Sequence, residues 1–188
     1  MFINKSFWKS LLASATLAGL TALGINSLAV AQSNSGLVIF GDRDVDHLNY
    51  RLDRNGNANQ RDRYRLRIPK KKLENGAIRF IISYPDYFDG EFDLRKNKEG
   101  DSYKNIEVRP NGEKDDALAL KNVVWDRENR FLQIDLAEPL TKPKKLELVL
   151  SNTKNPDMGT YYLRAQVIPA TNTPLPELIG AWVVTINP

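Results

Sequence analysis

The 188-residue chain has no cysteine. That excludes disulfide stapling, a thiol nucleophile and the lipidated cysteine of a bacterial lipoprotein. It has a single histidine, His47, so no pair of histidines is spaced to share a metal. No Gly-x-Ser-x-Gly elbow presents a serine for nucleophilic attack. Apolar residues at helical spacing are scarce after Gln32, and no later apolar run reaches the ~20 residues that cross a bilayer.

What is present begins with a leader. Lys5 and Lys9 precede the apolar run Leu11–Ile25, and Ala29-Val30-Ala31 offers the small residues that a signal peptidase accepts. Residues 1–31 are therefore expected to be a cleaved signal peptide and 32–188 a single exported domain. The run ends at Asn26-Ser27, short of a membrane span, so no integral anchor is expected after cleavage. The leader holds two lysines and no acid, which lowers the formal charge from +4 for the whole chain to +2 for the remainder. So weak a basic balance, on an exported chain, argues against nucleic acid as a partner.

Beyond the leader the apolar period is two. Tyr64/Leu66/Ile68, Phe80/Ile82/Tyr84, Leu132/Ile134/Leu136, Leu146/Leu148/Leu150, Tyr161/Leu163/Ala165/Val167 and Trp182/Val184/Ile186 would each put one face into a core. Turn formers separate them: Asp53-Arg54-Asn55-Gly56-Asn57, Asp89-Gly90, Asn111-Gly112, Asn155-Pro156-Asp157 and Thr173-Pro174-Leu175-Pro176. The expectation is an all-β fold, an antiparallel β-sandwich of immunoglobulin-like or Greek-key type with about eight to ten short strands, a barrel being the alternative. Helix is expected only as a turn near Lys70–Glu74 or Asp115–Leu120.

Two charged stretches are candidate sites. In the first, Arg61, Arg63, Arg65 and Arg67 alternate with Tyr64, Leu66 and Ile68, and Lys70, Lys71 and Lys72 follow. On a strand this makes a basic stripe, suited to the carboxylates or sulfates of an acidic glycan or to an acidic envelope protein. The plain alternative is a charged face that keeps the sheet soluble. In the second, Asp86, Asp89, Glu91 and Asp93 surround Asp89-Gly90, where a tight reversal is expected, with Glu91 and Asp93 on one face of the strand that follows. Such oxygen-rich stretches can hold calcium, although the spacing matches no standard calcium loop, and solvated acids at a turn are the simpler reading.

Lesser candidates each have a simple counterpart. Asp42, Asp44 and Asp46 alternate beside His47, which would suit a metal ligand or a general base but equally a solvated segment. Asp53–Asn59 imitates the start of an EF-hand, with glycine fourth instead of sixth and Tyr64 where the glutamate belongs, so a polar hairpin loop is expected. Tyr84, Tyr87, Phe88, Tyr161, Tyr162 and Trp182 would stack on sugars or fill a core, and the core is the commoner use.

Ile81–Asp93 leading to Ile106-Glu107-Val108-Arg109, Asn155–Tyr162 running through Val167–Ala170, and Ile179-Gly180-Ala181-Trp182 resemble a family of exported cyanobacterial proteins, DUF2808. The resemblance implies one β-rich exported domain and carries no activity or site residues. Asn155–Gly159 reads as a loop that fixes the start of strand 160–168, and Gly180 as a close-packing or bulge position. A non-enzymatic surface-binding domain is thus the leading expectation, a calcium-stabilised adhesion module the second, and a polysaccharide hydrolase with two carboxylates across a cleft the third.

Overall fold

The computed structural model describes residues 45–188. Asp42, Asp44 and the expected signal peptide lie outside the described residues. Nine strands follow: β1 (Tyr50–Leu52), β2 (Arg61–Ile68), β3 (Ala77–Ser83), β4 (Ile106–Pro110), β5 (Leu120–Asp126), β6 (Phe131–Leu140), β7 (Leu146–Lys154), β8 (Gly159–Ile168) and β9 (Glu177–Ile186). Four form one sheet in the order β1-β2-β7-β4 and five form the other in the order β5-β6-β3-β8-β9, with every ladder antiparallel. This is the expected β-sandwich. Among the described residues the one helical turn is a 3-10 turn at Lys70–Lys72, at the first of the two places where helix was expected.

Alternate residues of the paired sheets meet in one core: Tyr64, Leu66, Ile68, Leu146, Leu148 and Leu150 from the first, and Phe80, Ile82, Leu132, Ile134, Leu163 and Trp182 from the second. Each such side chain contributes about 1.5–3 kcal/mol by leaving water. Trp182 also donates its indole N–H to the Arg67 carbonyl at 3.2 Å, so β9 is fastened to β2 across the core.

One irregularity governs the first sheet. Asp62, Tyr64, Leu66 and Ile68 all point inward, in unbroken alternation. Strand β7 sends even-numbered Leu146, Leu148 and Leu150 inward, then switches to odd-numbered Thr153 and, just past its end, Asn155. The change of parity is absorbed by a β-bulge: Tyr64 pairs with Leu150 and Asp62 with Thr153, leaving Ser151 and Asn152 opposite Arg63. Asn152 takes a left-handed backbone, φ 57°, which asparagine tolerates better than most residues.

The buried polar groups inside the bulge tie loops together. Asn155 accepts from the Tyr64 hydroxyl at 2.9 Å and donates to the Asn57 carbonyl at 2.7 Å. Asp62 accepts main-chain N–H bonds from Arg54 at 2.8 Å, Gly56 at 2.9 Å and Arg63 at 2.6 Å, which closes the β1–β2 loop. That stretch is the polar hairpin loop expected from its failed EF-hand spacing. Burial pushes the Tyr64 phenol far above its ordinary value.

The acidic turn differs from expectation. Neither Asp89 nor Gly90 has positive φ, and the strand expected after them shrinks to a single bridge between Glu91 and Lys154. Glycine is needed at 90 for space: a Cβ would come within 2.7 Å of the Phe88 ring and 2.8 Å of the Lys154 carbonyl. The stretch is organised by aromatics, because Tyr84, Phe88 and Phe92 pack on one another and reach Tyr161 and Trp125, with centroids 5.1–5.8 Å apart. Aromatic pairs at such separations add about 0.5–1.5 kcal/mol each.

Sheet edges are capped. The Thr185 N–H donates to the Tyr50 hydroxyl and the Val123 N–H to the Tyr103 hydroxyl, while residues 46–48 pair with Ala181 of β9 in parallel. Gly180, φ 146°, permits that pairing, since a Cβ there would lie 2.5 Å from the Asp46 carbonyl oxygen, and it adjoins a register shift in the β8–β9 ladder. Both roles expected of Gly180 are met. Gly180→Ala should lower Tm by several degrees and release the exchange protection of the Leu48 and Ala181 amides; unchanged protection would contradict this role.

Candidate functional site

The outer face of the four-stranded sheet carries the four arginines of β2 as the alternation requires. They are not free. Arg65 donates to Asp53 at 2.9 and 3.0 Å and to Glu147 at 2.9 Å, and Arg67 donates to the other Glu147 oxygen at 3.1 Å. Arg63 reaches Ser151 at 3.0 Å and Asp53 at 3.6 Å. Arg61 donates to the Asn152 carbonyl at 2.8 Å and stands 3.8 Å from Glu91. Arg109 and Glu107 of β4 pair on the same sheet at 2.8 Å.

These bonds divide the stripe in two. The Arg65 and Arg67 side chains are 22% and 39% exposed and share Glu147, whose own side chain is only 7% exposed. Val149 lies between Arg65 and Glu107 and is fully buried, although it sits on the outward side of β7. The inner half of the stripe is thus a roof of charged side chains whose stems cover apolar surface. Arg61 and Arg63, at 47% and 45%, remain open at the other end. Of the lysine triplet, Lys70 and Lys71 are exposed and Lys72 is bound to Asp46. The Arg65 bond holds the Asp53 carboxyl below its ordinary range, as the Lys72 bond does for Asp46.

The structure does not gather the acidic-turn residues around one point. Asp86 is exposed, Asp89 accepts from the Asp157 N–H at 3.1 Å, and Asp93 is bound by Arg95 at 2.6–2.9 Å and by the Asn152 amide. Among the described residues no three histidine or carboxylate side chains converge on a position for a metal ion. Arg95 and then Asn152 hold the Asp93 carboxyl well below the usual carboxylate range, so it stays ionised and is unsuited to donate a proton. His47 is exposed and lies on the parallel bridge to Ala181. Of the aromatics considered for sugar stacking, Phe88, Tyr161 and Trp182 are core, Tyr84 is half-buried against it, and Tyr87 and Tyr162 are exposed.

The bulge brings part of each charged stretch to one place. A groove of about 390 Å³ is lined by Arg61, Glu91, Asp93, Arg95 and Asn152 over Phe92 and Leu94. Beside it lies a pocket of about 270 Å³, formed by Asp53, Arg54, Asp62, Arg63, Asn105, Ser151 and Asn152. Asn152 borders both. Residues 95, 105 and 152 escaped the sequence reading because lone polar residues carry no periodic signal, and Arg54 was read only as part of a polar hairpin loop; the polar run Ser151-Asn152-Thr153 after three alternating leucines was the one available sign of a bulge.

The sequence pattern described as "Protein of unknown function (DUF2808)" matches residues 37–186. The chain belongs to that family. No curated protein matches it. A solved structure described as a crystal structure of BslA, a bacterial hydrophobin, aligns at TM-score 0.39 and 14% identity over 72% of this chain and 95% of that one. So distant a likeness bears on neither mechanism nor partner. Family membership therefore leaves function to the face and its grooves.

Glu147→Gln should cost about 1–3 kcal/mol, because it takes the carboxylate partner from Arg67 and leaves Arg65 with Asp53 alone over a buried position, whereas Arg61→Gln should cost less than about 0.5 kcal/mol; urea unfolding of both variants checks the division of the stripe. For Asp93 the folded pKa lies below the unfolded one, so its contribution is present above the unfolded value and lost as pH falls. The stability gap between the native protein and Asp93→Asn should be widest above about pH 5 and narrow progressively as pH falls below about 4.

Proposed function

We propose that this DUF2808 protein is an exported, non-enzymatic domain that binds an acidic glycan through the open end of its basic face. The observation that carries the reading is the exposure of Arg61 and Arg63 beside two adjoining grooves, while the arginines deeper in the stripe are spent on Glu147 and Asp53. Guanidinium groups match carboxylate and sulfate oxygens two at a time, which suits sugars bearing either. Export rests on the leader and on the resemblance to exported cyanobacterial proteins. No helix among the described residues is long and apolar enough to cross a membrane.

The non-enzymatic part of the reading is supported by the spent state of the nearest acids: Asp93 is ion-paired, and Asp62 is taken by three main-chain N–H groups. A surface of this kind recognises charge and shape and performs no bond-breaking step. The double variant Arg61→Gln/Arg63→Gln should keep its Tm within a few degrees and elute from an immobilised polygalacturonate column at much lower salt than the native protein. Unchanged retention would overturn the assignment of this face.

A further inference from the structure

The proposed glycan-binding role gains a specific subsite from the smaller pocket beside the bulge, and the inference rests on that role. The pocket's acceptors are already occupied. Both oxygens of Asp62 receive main-chain N–H bonds, and those of Asp53 meet Arg51, Arg63 and Arg65. Its donors are in surplus. Arg54 spends one N–H on a 3.4 Å bond to the Arg61 carbonyl, and Arg63 spends two on Ser151 and Asp53, although each guanidinium has five to give.

Asn105 sharpens the imbalance. Its main-chain carbonyl accepts from the Ser151 N–H at 2.7 Å, which fixes the residue against the bulge. Its side-chain Nδ2 is buried and has no hydrogen-bond partner, the one such side-chain atom among the described residues. A buried donor without an acceptor is destabilising, and it is the kind of group that a ligand satisfies. The neighbouring groove is different: Asp93, Arg95 and the Asn152 amide already bond to one another, and Glu91 and Arg61, 3.8 Å apart, leave an acceptor and spare N–H donors for sugar hydroxyls.

We infer that Arg54, Arg63 and Asn105 form a subsite for the acid group of a uronic or sulfated sugar, with the adjoining sugar's hydroxyls in the groove beyond Asn152. The two guanidinium groups supply charge and direction at the rim, and Asn105 lines the same pocket with a closed-off Nδ2 that turns toward the ligand to donate. The bulge is what makes room between them, since it sets Ser151 and Asn152 together opposite Arg63.

Calorimetric titration of the protein with oligogalacturonate, with sulfated dextran oligosaccharide and with neutral dextran tests this. One or both acidic probes should bind at least tenfold more tightly than neutral dextran, the stronger of the two identifying carboxylate or sulfate as the acid. Asn105→Leu should weaken that probe about tenfold while raising the Tm of the free protein by about 2–4 °C, because it removes a buried unsatisfied donor. A residue with a purely structural role would lower Tm instead. Arg54 is exposed and its main-chain bond to Asp62 survives substitution, so Arg54→Gln gives a second reading, weaker binding at unchanged Tm, should Asn105→Leu fail to fold. If acidic probes bind but neither variant weakens them while Arg61→Gln/Arg63→Gln does, the face stands and the subsite falls. If no acidic probe binds the native protein, both fall.

Discussion

One extra residue in β7 sets the arrangement of the whole polar end of the molecule. Strand β2 alternates without interruption, so its partner must gain a residue between Leu150 and Thr153 if Thr153 and Asn155 are to be buried with the leucines. Without that bulge Asn155 would turn outward, and the ties to Tyr64 and Asn57 that close the β1–β2 loop would be lost. The same displacement directs the Asn152 carbonyl to Arg61 and its amide to Asp93. A change of strand parity, costing one ladder position, is thereby converted into a cleft.

The charged face above the bulge serves two ends that compete for the same side chains. Near Glu147 the arginines are held in place, cover Val149 and are neutralised locally. Toward the bulge they are progressively released, until Arg61 touches only a carbonyl and a distant carboxylate. Screening by salt weakens exposed pairs far more than buried ones, so the inner half of the face acts as scaffold under conditions where the outer half can exchange partners. The stripe's length and its reactivity are therefore separate properties.

Most of the sandwich was legible because burial on a sheet writes a period of two, and six of the nine strands carry apolar residues at that period. Strand β4 offers only the pair Ile106 and Val108, β1 is three residues long and β5 is mostly exposed, so these three leave little or no such trace. The acidic stretch at 86–93 misled for a physical reason. Asp89-Gly90 has turn chemistry, but the packing of Tyr84, Phe88 and Phe92 decides the path of the chain, and contact between aromatics four residues apart in irregular backbone is not a strand or turn signal. The arginine alternation was visible, whereas its partners Asp53 and Glu147 lie 12 and 82 residues from Arg65, and local spacing holds no record of such pairings. Polar residues that point inward, such as Asp62 and Asn155, were hidden for the same reason that Asn105 was: a buried polar group is specified by its partners, and those come from elsewhere in the chain.

The most direct test of the account is an amide chemical-shift map of the isotopically labelled protein during titration with an acidic oligosaccharide. Shifts concentrated at residues 61–63, 105 and 151–152, including the Asn105 side-chain amide, are the predicted result. Shifts centred on the outer face of the five-stranded sheet, around Val124 and Tyr162, with the bulge unperturbed, would contradict the claim that β7 builds the site.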